Sequence, residues 1–282
     1  MNATGVELDV IVTAKVSMPY GYVYRTQGNP ARRILTGISP FGETLDAPCI
    51  AYAVRHPSAG TILIDTGMHR DAQEDPRRDF GIPLSLIFRG LRPAKEPFDE
   101  QLRALDIEPG SVKQVVMTHL HVDHTSGMRL LPNAEFIASA AEWAATRGRF
   151  PAGKGYVPHH LPAVSQMQLL NFDRDGEPYA MFKQTIDLLG DGTIRLISTP
   201  GHTAGHLSVL LALAGGGQAL LVGDAAYTLR NIHEGLLPML TDDDAATLRS
   251  IEEIKAFALA NPTAILVPSH DPDAWRALAG LS

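Results

Sequence analysis

Four of the most chemically capable residues in this 282-residue chain fall within six positions. They are His119, His121, Asp123 and His124, in the run Thr118-His119-Leu120-His121-Val122-Asp123-His124. Three more, His202, Asp224 and His270, follow at wide intervals, each at the end of an apolar, strand-like run. Imidazole and carboxylate are the ligand types that zinc and related first-row metals take. Seven such groups exceed what one tetrahedral ion uses, but they suit two ions that share a bridging carboxylate and a water. The pattern points to a two-metal hydrolase.

The elements around these residues must bring them together. The run Val115-Val116-Met117-Thr118 reads as a buried strand ending at His119. His119 and His121 are two apart, so an extended backbone puts them on the same side. Asp123 and His124 begin the next element, with Thr125-Ser126-Gly127 suited to a tight turn into a helix. One loop can thus offer two imidazoles to one ion and a carboxylate plus an imidazole to a neighbour. Strand 194–199 leads into Pro200-Gly201-His202-Thr203-Ala204-Gly205-His206, strand 219–222 into Gly223-Asp224, and strand 264–268 into Ser269-His270-Asp271. Ligands at the carboxyl ends of strands converge on one edge of a sheet, where α/β folds place their sites. His202 is the better ligand in its loop, and His206 is expected to make a structural hydrogen bond. His56, His69, His159, His160 and His233 match no ligand pattern and are expected at the surface or in the core.

Further apolar, β-branched runs predict strands at 6–16, 49–54, 61–65, 112–118, 135–138 and 207–213. Helices are predicted at 97–105, 139–145, 245–260 and 273–278. The third has the clearest pattern, with Leu248, Ile251, Ile254, Phe257 and Ala258 on one face, acidic caps at 242–244 and a stop at Asn261-Pro262. Strands followed by interleaved helices and strands predict an α/β layered fold. Ligands lie on both sides of the Gly/Pro-rich piece 148–162, so residues 1–282 read as one domain.

Bulk properties limit the partners. The net charge is −7, from 24 basic and 31 acidic residues, which leaves no footprint for nucleic acid or an anionic membrane. It suits an uncharged or cationic small molecule. The lone Cys49, in an apolar run, rules out an intrachain disulfide and reads as a core residue. The first twenty residues carry Glu7 and Asp9 and do not resemble a secretory signal, and no stretch approaches ~20 apolar residues. The cytoplasm is the expected compartment, and a homodimer is compatible with the sequence.

His-x-His-x-Asp-His, followed by the separated His202, Asp224 and His270, resembles the metallo-β-lactamase superfamily. That resemblance implies its fold, a four-layer αβ/βα sandwich. Ile64-Asp65-Thr66-Gly67 matches an early superfamily motif, whose aspartate supports the metal loop from behind the ligands. Within the superfamily the chain looks most like the N-acyl-homoserine lactonases, which open quorum-sensing lactones. The carriers of that likeness are 199–206, Asp224-Ala225-Ala226-Tyr227-Thr228 and Ser269-His270-Asp271-Pro272.

The resemblance implies that His119, His121 and His202 hold one ion, that Asp123, His124 and His270 hold the second, and that Asp224 bridges them. It implies two divalent ions, zinc foremost, with cobalt, manganese or iron as alternatives. Ions ~3.5–4 Å apart would lower the pKa of a bridging water toward ~7. The resulting hydroxide would attack the lactone carbonyl, Tyr227 would assist the oxyanion, and Asp123 would carry a proton to the leaving ring oxygen. A hydrophobic acyl chain needs an apolar groove, for which 80–88 is a candidate lid or wall; the same stretch could serve as core or as an oligomer contact.

Alternatives are a lactonase for another small lactone and a thioester hydrolase of the glyoxalase II type. The latter shares the seven ligands but adds a basic, helical carboxy-terminal region, whereas twelve residues follow His270 here with Arg276 the sole basic one. A true β-lactamase would lack the bridging Asp224, and redox di-iron members carry glutamate where His121 stands. A non-catalytic module stapled by metal would favour a closed, cysteine-rich site.

Overall fold

Alternating apolar side chains build two sheets in the computed structural model, which describes residues 5–39, 42–88 and 90–278. The first sheet contains β1 (Glu7–Pro19), β2 (Thr44–His56), β3 (Gly60–Ile64), β4 (Leu91–Pro93), β5 (Gln114–Val116), β6 (Glu135–Ser139) and β7 (Met167–Leu170), in the order β4-β1-β2-β3-β5-β6-β7. The second contains β8 (Glu177–Tyr179), β9 (Phe182–Asp187), β10 (Ile194–Ser198), β11 (Leu207–Ala212), β12 (Gln218–Gly223) and β13 (Ile265–Pro268), in the order β13-β12-β11-β10-β9-β8. β3, β5, β6 and β7 run parallel, and β12 pairs parallel with β13.

The period of two decides which layer each residue joins. Ile62 and Ile64 point between the sheets and pack with Leu196, Val209 and Leu221. Leu63 points outward against Phe98 and Leu102 of the helix Phe98–Ala104 and Trp143 of the helix Ala140–Ala145. On the other side Leu210 and Leu220 meet Ile251, Ile254 and Phe257 of the helix Asp244–Ala260. Helix, sheet, sheet, helix is the four-layer αβ/βα sandwich. Leu248 departs from its expected place and is exposed, because the buried face of that helix runs through Thr247, Ser250, Ile251 and Ile254.

Two elements are shorter than their sequence suggests. The strand expected at 112–118 is regular only over Gln114–Val116. The Thr118 amide donates instead to the Asp65 carboxylate, at 2.8 Å. The helix expected at 273–278 is one 3-10 turn, Ala274–Ala277. Its start is taken by Asp271, whose Oδ1 accepts from the amides of Asp273 and Ala274. Strand directions explain where the loops go. β10 and β12 are each antiparallel to β11, and β13 follows β12, so their carboxyl ends share one edge.

Residues 80–87 fall in the helix Pro76–Ile87, broken at Gly81 (φ 80°, ψ 167°), and Phe88 follows as its C-cap. Phe80, Leu84 and Phe88 are buried, while Ile82, Leu86 and Ile87 are exposed. Asp79 anchors this helix: its carboxylate accepts from Arg129 and from the Ser126 hydroxyl (3.4 Å) and lies 2.9 Å from His160 Nε2. Burial alone would raise the Asp79 pKa, but the bonds from His160 and Arg129 outweigh it and bring it from 3.8 to about 2. A depressed folded-state pKa means stability that is present above 3.8 and lost as pH falls toward about 2. Across that window the wild type is expected to lose more stability than Asp79→Asn, read from urea midpoints at stepped pH. Parallel curves would show that the network contributes nothing.

Candidate metal centre

The ligand loops are set in place by bonds from their own backbones. Asp65, at the end of β3, adopts φ 56°, a left-handed conformation unusual for a residue with a side chain. Its carboxylate accepts from the Thr118 amide and the Thr118 hydroxyl, both at 2.8 Å, and lies 2.7 Å from His124 Nδ1. That contact turns His124 Nε2 toward the centre. His121 caps a single helical turn, Val122–Thr125, that already contains Asp123 and His124; the turn therefore comes earlier than the Thr125-Ser126-Gly127 junction suggests. The His202 loop is pinned to the start of the helix Asp244–Ala260 through Asp242 N to His202 O (3.1 Å) and Asp243 N to Gly201 O (3.0 Å). His270 Nδ1 donates to the Pro48 carbonyl at 2.9 Å, which leaves Nε2 free to face Asp224.

All seven side chains converge. Potential ligand atoms of His119, His121 and His202 lie within 4.8 Å of one another, as do those of Asp123, His124 and His270, and those of His119, His124 and Asp224. A tetrahedral zinc ion with bonds of about 2.0–2.1 Å holds its ligand atoms about 3.4 Å apart. The separations here scatter around that value. His202 Nε2 is 3.0 Å from His121 Nδ1 and 3.4 Å from Asp224 Oδ2. His270 Nε2 is 3.4 Å from Asp123 Oδ2, and His124 Nε2 is 3.5 Å from Asp224 Oδ1. His119 Nε2, His124 Nε2 and Asp224 Oδ1 are buried without a hydrogen-bond partner. Buried polar atoms left unpaired are costly, and a cation between them satisfies all three. The donor set fits two divalent ions.

Electrostatics divide the cluster. Burial pushes His119, His121 and His202 below the usual imidazole range, which keeps their lone pairs free. Burial opposes charge at His124 and His270 as well, but Asp65, Asp123 and Asp224 beside the first, and Asp224 and Asp123 beside the second, push both upward. Desolvation also acts against Asp224, yet His270 and His124 hold its carboxyl well below the usual range. Metal binding would therefore displace protons from His124 and His270.

The other histidines do structural work. His206 Nδ1 lies 2.9 Å from the Thr199 hydroxyl, and its Nε2 accepts from the Asp224 amide at 2.9 Å. Burial lowers its pKa to about 3, consistent with that acceptor role. His69 caps the helix Arg70–Glu74, and His56 contacts Asp191. Asp79, His159 and His160 also lie close enough to hold an ion, but Arg129 already supplies a cation to that group.

Above the cluster opens a cavity of about 810 Å³. His121, Asp123, His202, Asp224, His270 and Tyr227 line its floor, and Val16, Met18, Leu84, Leu86, Phe88 and Met239 its walls. The buried Tyr227 ring meets His202 and His270 edge-on. Two residues, one in the cavity and one behind the ligand loops, went unnoticed in the sequence. Tyr22 stacks on Tyr227, with ring centroids 6.1 Å apart and planes 15° apart. Its turn is tied down by Asn231 Nδ2 to Val23 O (3.0 Å), Met239 N to Tyr22 O (2.8 Å) and a Tyr24–Thr228 hydroxyl contact (3.1 Å). The tyrosine-rich run at 20–24 was the available signal. Glu142 is wholly buried, and it is the one carboxylate in an otherwise apolar helix.

Residues 46–270 match the family model of the Metallo-beta-lactamase superfamily. The chain belongs to that superfamily. Among its relatives, the N-acyl homoserine lactonase AttM of Azorhizobium caulinodans is 35% identical over 237 residues, covering 83% of this chain and 86% of the relative. The protein of the same name from Agrobacterium fabrum is also 35% identical, with the same coverage. Among solved structures, an N-acyl homoserine lactone hydrolase with the product N-hexanoyl-L-homoserine at its catalytic metal centre shares the fold, superposing with a TM-score of 0.73 at 20% identity and covering 98% of this chain and 97% of that one.

The Asp65 contacts generate a direct test. Asp65→Asn is expected to lower zinc affinity about 10–100-fold, the usual effect of losing a group that orients a ligating histidine. Competition with a chromophoric chelator measures it, and unaltered affinity would show that His124 needs no such support.

Proposed function

We propose that the protein hydrolyses the lactone ring of N-acyl homoserine lactones, using two divalent ions, zinc foremost. The observation that carries this reading is the cavity, whose floor is a cluster of metal-ligand side chains and whose walls are apolar. An acyl lactone has the matching division, with a hydrolysable polar head and an apolar tail. The 35% identity to lactonases over 83% of the chain supports the same substrate class. His119, His121 and His202 would hold one ion, Asp123, His124 and His270 the other, and Asp224 would touch both. Because these residues come from loops of both sheets, we take 1–282 to act as one unit.

A pair of divalent ions at this floor supplies a Lewis acid and a water acidic enough to be a nucleophile near neutral pH. Tyr227 keeps its proton: burial, the adjacent Tyr22 and the charges of Asp224 and Asp123 all raise its pKa. Its hydroxyl is thus a donor for the lactone carbonyl oxygen as negative charge gathers there. Attack by water forms one C–O bond, and the ring C–O bond breaks as the carboxylate forms. The departing alkoxide needs a proton, and Asp123, lining the floor 3.4 Å from His270 Nε2, is placed to pass it on. Leu84, Leu86, Phe88 and Met239 would sheath the acyl chain and exclude water.

A glutathione thioester fits less well. Among the described lining residues Lys154 is the only lysine or arginine, and it is engaged by Asp242 at 2.8 Å.

Proton release from the zinc-loaded protein, over a panel of acyl homoserine lactones, simple lactones and glutathione thioesters, tests the substrate. Acyl lactones are expected to turn over fastest, and a preference for thioesters overturns the proposal. Tyr227→Phe is expected to slow lactone turnover by roughly tenfold or more, the scale of a lost oxyanion donor. An unchanged kcat would remove the phenol from the mechanism.

A further inference from the structure

We propose that Glu142 is a positioning residue for the metal centre, fixing the gap between the His119–His121 segment and the His202 loop and countering the charge of bound cations. The inference rests on reading the seven side chains as metal ligands, and it is independent of the lactone. Glu142 lies in the helix Ala140–Ala145, on the outer face of the first sheet, and is 0% exposed. Its Oε1 accepts from the Leu120 amide at 2.9 Å, the amide between the two imidazole-bearing residues. Its Oε2 accepts from the Gly205 amide at 3.1 Å, in the loop that carries His202.

The first loop follows β5 of one sheet and the second follows β10 of the other. One carboxylate therefore joins two ligand loops from different sheets, reinforcing the backbone bond from Leu207 N to Thr118 O (2.8 Å) at their bases. The approach is close enough to dictate sequence: a Cβ on Gly205 would lie 2.1 Å from the Glu142 backbone nitrogen. Where the loops are joined, His121 Nδ1 and His202 Nε2 stand 3.0 Å apart, a separation suited to one shared ion.

Charge gives Glu142 a second role. No lysine or arginine pairs with it among the described residues, and the two amide bonds, with the Tyr156 phenol beside it, only partly offset the cost of burying a carboxylate. Asp65, Asp123, Glu142 and Asp224 are all buried around the centre. Glu142 thus adds one more buried carboxylate to a region where bound divalent ions would bring positive charge. A carboxamide there could accept from only one of the two amides.

Zinc titrations against a chromophoric chelator, together with melting of the metal-free and zinc-loaded forms, decide the matter. Glu142→Gln keeps the shape, removes the charge and turns a donor toward one of the two amides. The expected result is zinc affinity at least tenfold weaker, with a larger loss of Tm in the zinc-loaded form than in the metal-free form. Unchanged affinity, or an equal loss of Tm in both forms, overturns the proposal and leaves Glu142 a structural acceptor. If Glu142→Gln does not fold, Glu142→Asp carries the test, since it keeps the charge but falls one methylene short of the two amides. Weaker zinc binding by a folded Glu142→Asp supports the proposal, and wild-type affinity overturns it. Failure of the wild type to bind zinc would instead overturn the ligand reading itself.

Discussion

Lone pairs aimed at one another inside a protein repel, and that repulsion is the constraint around which this molecule is organised. His119, His124 and Asp224 bury acceptor atoms that no donor satisfies, and His124 Nε2 lies 3.5 Å from Asp224 Oδ1. A folded chain tolerates such an arrangement only when something cationic can sit between the parts. Protons fill part of that role, as the upward shifts at His124 and His270 indicate, and divalent ions fill it more completely. The sandwich holds these groups still against their mutual repulsion. Asp65 does so from β3, Pro48 from β2, and the start of the helix Asp244–Ala260 from the far layer.

Much of this was legible in the sequence because the relevant signals are local. His119, His121, Asp123 and His124 are close neighbours in the chain, and His202, Asp224 and His270 each follow an apolar run whose period marks a strand. The order of strands and helices pointed to layers and the family likeness to four of them, whereas Ile62, Leu63 and Ile64, all apolar, do not show in sequence that they alternate between two cores. What escaped is non-local. Glu142 acquires its role from amides 22 and 63 positions away, and nothing in its own helix announces them. Tyr22 meets Tyr227 only because Asn231 and Met239 fasten its turn from the far end of the chain.

Side chains that replace backbone partners caused the errors in element length. The Thr118 amide bonds to a carboxylate where a strand neighbour was expected, and Asp271 takes two amides at the start of the last turn. Such substitutions leave hydrophobic periodicity intact while ending the regular hydrogen-bond pattern, so a reading based on period overruns them.

The walls of the cavity are drawn from different parts of the chain than its floor. The floor residues sit at or just beyond strand ends and in the turn after β5, whereas Met18, Leu86 and Met239 belong to the β1 terminus, the broken helix and the stretch before the last long helix. Mutation can therefore reshape the space offered to a guest molecule without disturbing the groups that would act on it. A lineage built this way can diversify its diet while its chemistry stays fixed.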